Sequence, residues 1–183
     1  TLWGISTKST NIPNSHFFEC PQIPINDVYA ASPDGAIVVL NKHMSKETAL
    51  STNHMTLEDV AWHANVEIKC PGGGIGKTFE EMAEVVRKKW KRPAVYYMMQ
   101  IHQEMAAQKT SETLFVTWTP LLTRMWRVPF NASFWNLCVE VFENFRLKNV
   151  PFDVMFAKVD VLKKRCFGVA NVPIWKEISH AGI

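Results

Sequence analysis

The sequence predicts a mixed α/β domain in which a small, mixed central β-sheet is flanked by helices. Three observations lead there. Residues 61–70 form a strand-length, largely apolar run in which Glu67 and Lys69 fall on one face, with Val66, Ile68 and Cys70 behind them. Thr78-Phe79-Glu80-Glu81 has the spacing of a helix capping box and opens a segment with helical apolar spacing. The remaining segments then follow in the order β-β-β-α-α-β-β-α, which suits one sheet with helices against it. At 183 residues and 20.9 kDa the chain is long enough for a single domain, 1–183, with a substantial core.

Taken in order, residues 1–26 contain Pro13, Pro21 and Pro24 and read as an irregular entry, with a short strand at His16–Cys20. The apolar runs Asp27–Ser32 and Ala36–Asn41 flank Ser32-Pro33-Asp34-Gly35, whose turn chemistry predicts a β-hairpin with Asp34 at its tip. Residues 42–59 are polar and read as a surface excursion before the strand at 61–70. The helix opened by Thr78 carries Met82, Val85, Val86 and Trp90 inward and closes in Arg87-Lys88-Lys89-Trp90-Lys91-Arg92. Pro93 suits the first turn of a second helix running to Gln108, with Val95, Met98, Met99, His102 and Ala106 as its inner face.

Leu114–Trp118 and Met125–Val128 read as paired strands. Asn131 begins a third helix with Phe134, Trp135, Cys138, Val141, Phe142 and Phe145 as its apolar stripe. Residues 152–170 are short apolar and basic pieces with no assigned element.

Composition narrows the classes. A hydrophobic fraction of 47% and a charged fraction of 20% are ordinary for a soluble protein. No apolar run approaches the ~20 residues that cross a bilayer, and no charged-then-apolar leader is visible. The expectation is therefore an intracellular protein, cytoplasmic or nuclear, without membrane association. Cys20, Cys70, Cys138 and Cys166 are scattered, and read as reduced, buried thiols rather than a zinc site, an iron–sulfur cluster or a disulfide scaffold. The six histidines show no HxxxH or HxH pair. The net charge of +3 permits a polyanionic partner.

The chemistry-bearing residues are Asp34, Glu67 and Lys69. Two carboxylates supply the hard oxygens that Mg²⁺ prefers, and a lysine two positions on can neutralise charge developing on a phosphate. Their carboxylates are expected within a few ångström of each other on adjacent strands, with Lys69 on the same face. The strand face alone is a common pattern. It is sharpened by Cys70-Pro71 after the lysine and by a Gln-bearing segment, Tyr96-Tyr97-Met98-Met99-Gln100-Ile101-His102-Gln103-Glu104-Met105, some thirty positions on.

Ser-Pro-Asp-Gly followed by Glu-Ile-Lys-Cys-Pro resembles the PD-(D/E)xK nuclease superfamily, closest to its YqaJ-like, lambda-exonuclease-like branch. Leu114–Pro120 and Phe134-Trp135 resemble that family's later strand and its Phe-Trp helix, so the likeness covers residues 16–147 in order and leaves 148–183 as a C-terminal extension. The resemblance implies a restriction-endonuclease-like core and a metal-dependent deoxyribonuclease, a 5′-to-3′ exonuclease on double-stranded DNA ends that serves recombination or replication. It implies Asp34, Glu67 and the carbonyl of Ile68 as ligands of Mg²⁺, with Mn²⁺ as a substitute. Lys69 would be the catalytic lysine, and Gln100 would hold the attacking water or the lysine. A single-strand annealing protein is the implied partner. The helical part that precedes the Ser-Pro-Asp-Gly turn in the family is expected to be largely absent here, and Glu19 and Asp27 read as surface and turn residues rather than replacements for its acidic residue. The alternative is a catalytically silent nucleic-acid-binding or interaction domain of the same fold.

Two neighbouring features bear on nucleic acid. Pro71-Gly72-Gly73-Gly74-Ile75-Gly76-Lys77-Thr78 approaches a nucleotide-binding P-loop, but Pro71 stands where the pattern needs Gly, removing an N–H. It reads instead as a Gly loop and a capped helix, with Lys77 available to a phosphate. Arg87, Lys88, Lys89, Lys91 and Arg92 read equally as a solvated helix end and as a track for a DNA backbone.

Overall fold

A computed structural model describes residues 4–5, 15–20, 22–25, 30–40, 60–70, 77–147 and 151–180. Among these run nine strands and four α-helices: β1 (Gly4–Ile5), β2 (Ser15–Glu19), β3 (Ile23–Pro24), β4 (Ala30–Ala31), β5 (Gly35–Leu40), β6 (Val60–Lys69), α1 (Phe79–Lys89), α2 (Met98–Gln108), β7 (Glu112–Trp118), β8 (Leu122–Pro129), α3 (Ala132–Leu147), α4 (Phe152–Val169) and β9 (Lys176–Ser179). The fold is mixed α/β. Its main sheet has the order β1-β2-β5-β6-β7-β8-β9, with β2, β5, β6, β7 and β8 as the long strands. Only β6 and β7 run parallel, and the chain between them contains α1 and α2, the crossover that a parallel pair needs.

The expected hairpin at Asp34 is not formed. β4 pairs with β3 in a separate two-stranded sheet, while β5 is bonded on one side to β2 and on the other to β6. A strand has two edges, and both edges of β5 are taken. Pro33 lacks the N–H that would carry the ladder onward. Asp34 therefore sits at the entrance to β5, where Gly35 pairs with Val66.

The capping box of α1 forms in both directions: Glu81 N–H donates to Thr78 Oγ1 and Thr78 N–H to Glu81 Oε2. At the other end, Arg124 Nη1 on β8 donates to the carbonyls of Val86, Arg87 and Trp90, so a guanidinium closes the helix where its dipole is negative. The second helix starts later than Pro93. Ala94 is extended, Val95–Tyr97 form a 3₁₀ turn, and α-geometry begins at Met98. Its inner face is accordingly shifted to Met98, Ile101, His102, Glu104 and Met105. Asn131 caps α3, its Oδ1 accepting from Phe134 N–H at 2.9 Å.

The main core joins Phe115, Trp126 and Val128 of the sheet to Met98 and Ile101 of α2, Phe134, Cys138 and Val141 of α3, and Leu162 and Cys166 of α4. Residues 151–180, expected only as an extension, thus contribute to this core and add β9 to the sheet edge. Cys138 and Cys166 are buried as expected, but Cys70 is exposed, because it follows the last residue of β6 and has left the sheet. No helix of the described residues is long and apolar enough to cross a membrane. Residues 42–59, the glycines of the 71–76 loop and Asp27 lie outside the described residues.

Candidate active site

Period-two alternation along β6 puts Asn65, Glu67 and Lys69 on one face, opposite Thr113, Phe115 and Thr117 of parallel β7. Phe115 belongs to the core beneath the helices, so this face is roofed by α2. Glu67 is fully buried, a position a carboxylate holds only with partners. Its Oε1 pairs with Lys69 Nζ and accepts from Gln100 Nε2 at 2.8 Å. Lys69 Nζ also lies 4.6 Å from the centroid of the Tyr97 ring.

Gln100 and Glu104 are one helical turn apart on α2, and Gln100 Nε2 donates to Glu104 Oε1 at 2.8 Å as well as to Glu67. Asn65 Nδ2 donates to Glu104 Oε2 and to Thr113 Oγ1, both at 3.0 Å. A continuous polar chain therefore runs Thr113–Asn65–Glu104–Gln100–Glu67–Lys69 through the interior. Asp34 closes the cluster from β5. Its Oδ2 accepts from the Ile68 N–H at 2.7 Å, and its charge acts on both Glu67 and Glu104.

Burial and carboxylate crowding dominate the electrostatics. Burial raises the Glu67 pKa against the opposing hydrogen bond from Lys69, and the Asp34 charge raises it further. Burial, then the charge of Glu67, pushes Glu104 up to about 8, while hydrogen bonds from Asn65 and Gln100 oppose the rise. His102, expected on the inner face of α2, is pushed down to about 4 by burial and bonds Met98 O through Nδ1, with its ring edge against Phe134. It is a neutral core residue.

Glu67, Lys69 and Gln100 are joined by direct contacts, and Asp34 adjoins them through the Ile68 N–H rather than the carbonyl of Ile68 expected as a ligand. The other cationic residues do not enter this group. Lys77, Arg87, Lys88, Lys89, Lys91 and Arg92 are exposed, Arg87 and Lys88 pair with Glu84 within α1, and Arg92 lies over the Phe167 ring at 5.4 Å. Trp90, which lies among them in sequence, stacks on Tyr97 at 6.2 Å.

Asn65, Tyr97 and Glu104 were not singled out by sequence reasoning. Their spacings carried the signal: Asn65 is two before Glu67 on the same strand face, and Glu104 is four after Gln100 on the same helix face.

The donor set fits one hard cation. Glu67 Oε2 is buried without a hydrogen-bond partner, and the charge of Asp34, whose carboxylate is bonded to the Ile68 N–H, acts on Glu67. Among the described residues no three His, Cys, Asp or Glu side chains form a metal-holding group. A cation here would thus rest on two carboxylates, backbone and water, as Mg²⁺ commonly does. No protein-family model matches the chain, and neither does any curated protein or solved structure.

Proposed function

We propose that the protein is a Mg²⁺-dependent deoxyribonuclease that hydrolyses phosphodiester bonds, acting as an exonuclease on duplex ends. In this reading β5, β6 and β7 are the centre of a restriction-endonuclease-like core. The observation that carries it is the buried Glu67 carboxylate bonded to both Lys69 and Gln100, with Asp34 pinned to the next backbone amide of the same strand.

Each residue then has a task. Asp34 and Glu67 would hold Mg²⁺, which supplies a water of lowered pKa and neutralises phosphate charge. Gln100 fixes the rotamer of Glu67 by donating to Oε1, which leaves Oε2 for the cation. Lys69, only partly buried, offers its ammonium to the oxygen on which negative charge grows in the transition state. Tyr97 lies against the lysine and limits where that ammonium can go.

Incubation of the wild-type chain with end-labelled linear duplex, with and without Mg²⁺, tests the reading, and closed circular DNA separates exonuclease from endonuclease. Mg²⁺-dependent release of label is expected from the linear substrate alone. Absence of any Mg²⁺-dependent cleavage ends the nuclease reading. A silent binding domain is then favoured, since Glu67 Oε1 is already engaged by the protein's own Lys69 and Gln100.

A further inference from the structure

Tyrosine rings carry a large apolar surface and are mostly kept from water. Tyr96 is 62% exposed. It is nevertheless held in place. It lies in the 3₁₀ turn before α2, with its ring centroid 4.3 Å from that of Tyr97. Tyr97 in turn stacks on Trp90 and tilts against the fully buried Phe115. The Lys69 ammonium also lies against the Tyr97 ring, 4.6 Å from its centroid. An open aromatic ring, backed by a packed aromatic stack, thus stands one ring away from the lysine of the candidate site. Its exposed neighbours along the chain are Lys89, Lys91 and Arg92, and the buried Pro93 fixes the backbone between them and the turn.

We infer that Tyr96 is a stacking platform for an unpaired nucleobase, so that the preferred substrate is a nucleic acid whose strand is single or frayed beside the cleaved phosphate. Every base offers a π-face, and stacking on an aromatic side chain recognises that face whatever the sequence. A base inside a duplex has both faces covered, whereas an unpaired or terminal base does not. The exposed cations that precede Tyr96 in the chain, Lys89, Lys91 and Arg92, suit a ring attached to phosphate rather than an apolar peptide. The inference rests on the nuclease reading only for placing the phosphate at Lys69.

The test is binding measured in EDTA, where no metal-dependent cutting occurs, with the full chain and with Tyr96→Ala and Tyr96→Phe. Thermal melts confirm that the variants fold. The probes are a fluorescently labelled single-stranded oligonucleotide and the blunt duplex of the same sequence. Tyr96→Ala is expected to weaken single-strand binding about ten-fold and to leave duplex binding nearly unchanged, while Tyr96→Phe binds as wild type. A 2-aminopurine in the single strand should be quenched by wild type and not by Tyr96→Ala. The inference is overturned if Tyr96→Ala binds the single strand as wild type does, if it loses both probes equally, or if the wild type binds neither. Cleavage is scored separately. A protein that cuts DNA but is indifferent to Tyr96 loses only this inference, and one that stacks a base on Tyr96 but never cuts loses only the nuclease reading.

Discussion

Asp34 and Ile68 are thirty-four positions apart in sequence, yet the Asp34 carboxylate accepts the Ile68 backbone N–H at 2.7 Å. The bond ties the entrance of β5 to β6 where the two strands begin to pair. It also holds a negative charge beside Glu67, which is itself fully buried. Burial and the Asp34 charge both raise the Glu67 pKa, against the Lys69 ammonium that pairs with it. In the proposed reading a bound cation would relieve that crowding.

Asp34→Asn separates the structural bond from the charge. The amide oxygen can still accept from Ile68, and Asp34 is exposed, so urea melts should show a loss of about 1 kcal/mol or less. Mg²⁺-dependent cleavage should fall to background. Normal cleavage by this variant would remove Asp34 from the metal site.

Glu104 gives a pH signature. Its folded pKa is raised to about 8 from a usual value near 4.5, so the folded state holds a proton that the unfolded state has released. Its contribution to stability is therefore complete below about pH 4.5 and is lost as pH rises through about 8. Glu104→Gln removes that titration. Thermal melts from pH 5 to 8 should show the variant gaining on wild type as pH rises, whatever the constant offset between them. Parallel pH profiles would mean that Glu104 is not held protonated in the fold.

Much of this site could be read in the chain, because period-two and period-3.6 spacing survive folding. Glu67 and Lys69 share a face because strands alternate, and Thr78 caps α1 because its side chain reaches its own N3 amide. Relationships decided by competition between distant segments were not legible. Nothing local in Ser32-Pro33-Asp34-Gly35 says that β2, far upstream, occupies the edge that a hairpin would need. The helix α4 was hidden because its buried Leu162 and Cys166, with Ala170 just past its end, make a narrow seam, while Val154, Val161 and Phe167 blur it with exposed apolar residues. Glu104 was hidden because a single glutamate on a helix is usually solvated, and only Asn65 and Gln100 make this one part of a buried chain.

The thiols should react in an order set by burial. Cys70 is exposed, whereas burial pushes Cys20 up to about 11 and Cys138 up to about 12. Alkylation of the native protein followed by peptide mass mapping should label Cys70 first and leave Cys138 and Cys166 until denaturant is added. Because Cys70 follows Lys69 directly, an oligonucleotide bound at the site should slow its labelling. Early labelling of Cys138 would contradict its place between α3 and α4.

Lys69 and Lys77 decide between the nuclease and its nucleotide-binding rival. Lys69 pairs with the buried Glu67 and touches the Tyr97 ring, whereas Lys77 is exposed just before the capped helix α1. In the nuclease reading Lys69→Ala should abolish Mg²⁺-dependent cleavage and leave DNA affinity nearly intact. It should also destabilise the fold more at pH 8 than at pH 5, because Glu67 without its cation is tolerated best when protonated. Lys77→Ala should weaken DNA binding slightly, in a way that added salt erases, since an exposed charge makes only a screened phosphate contact. If the segment after β6 instead cradles a nucleotide, Lys77→Ala removes ATP binding and Lys69→Ala leaves it untouched. Measuring both variants for cleavage and for ATP binding separates the two. ATP held through Lys77, together with undiminished DNA cleavage by Lys69→Ala, would defeat the assignment of Lys69. The opposite is expected, since Pro71 removes an amide from any phosphate cradle while Lys69 shares Glu67 Oε1 with Gln100.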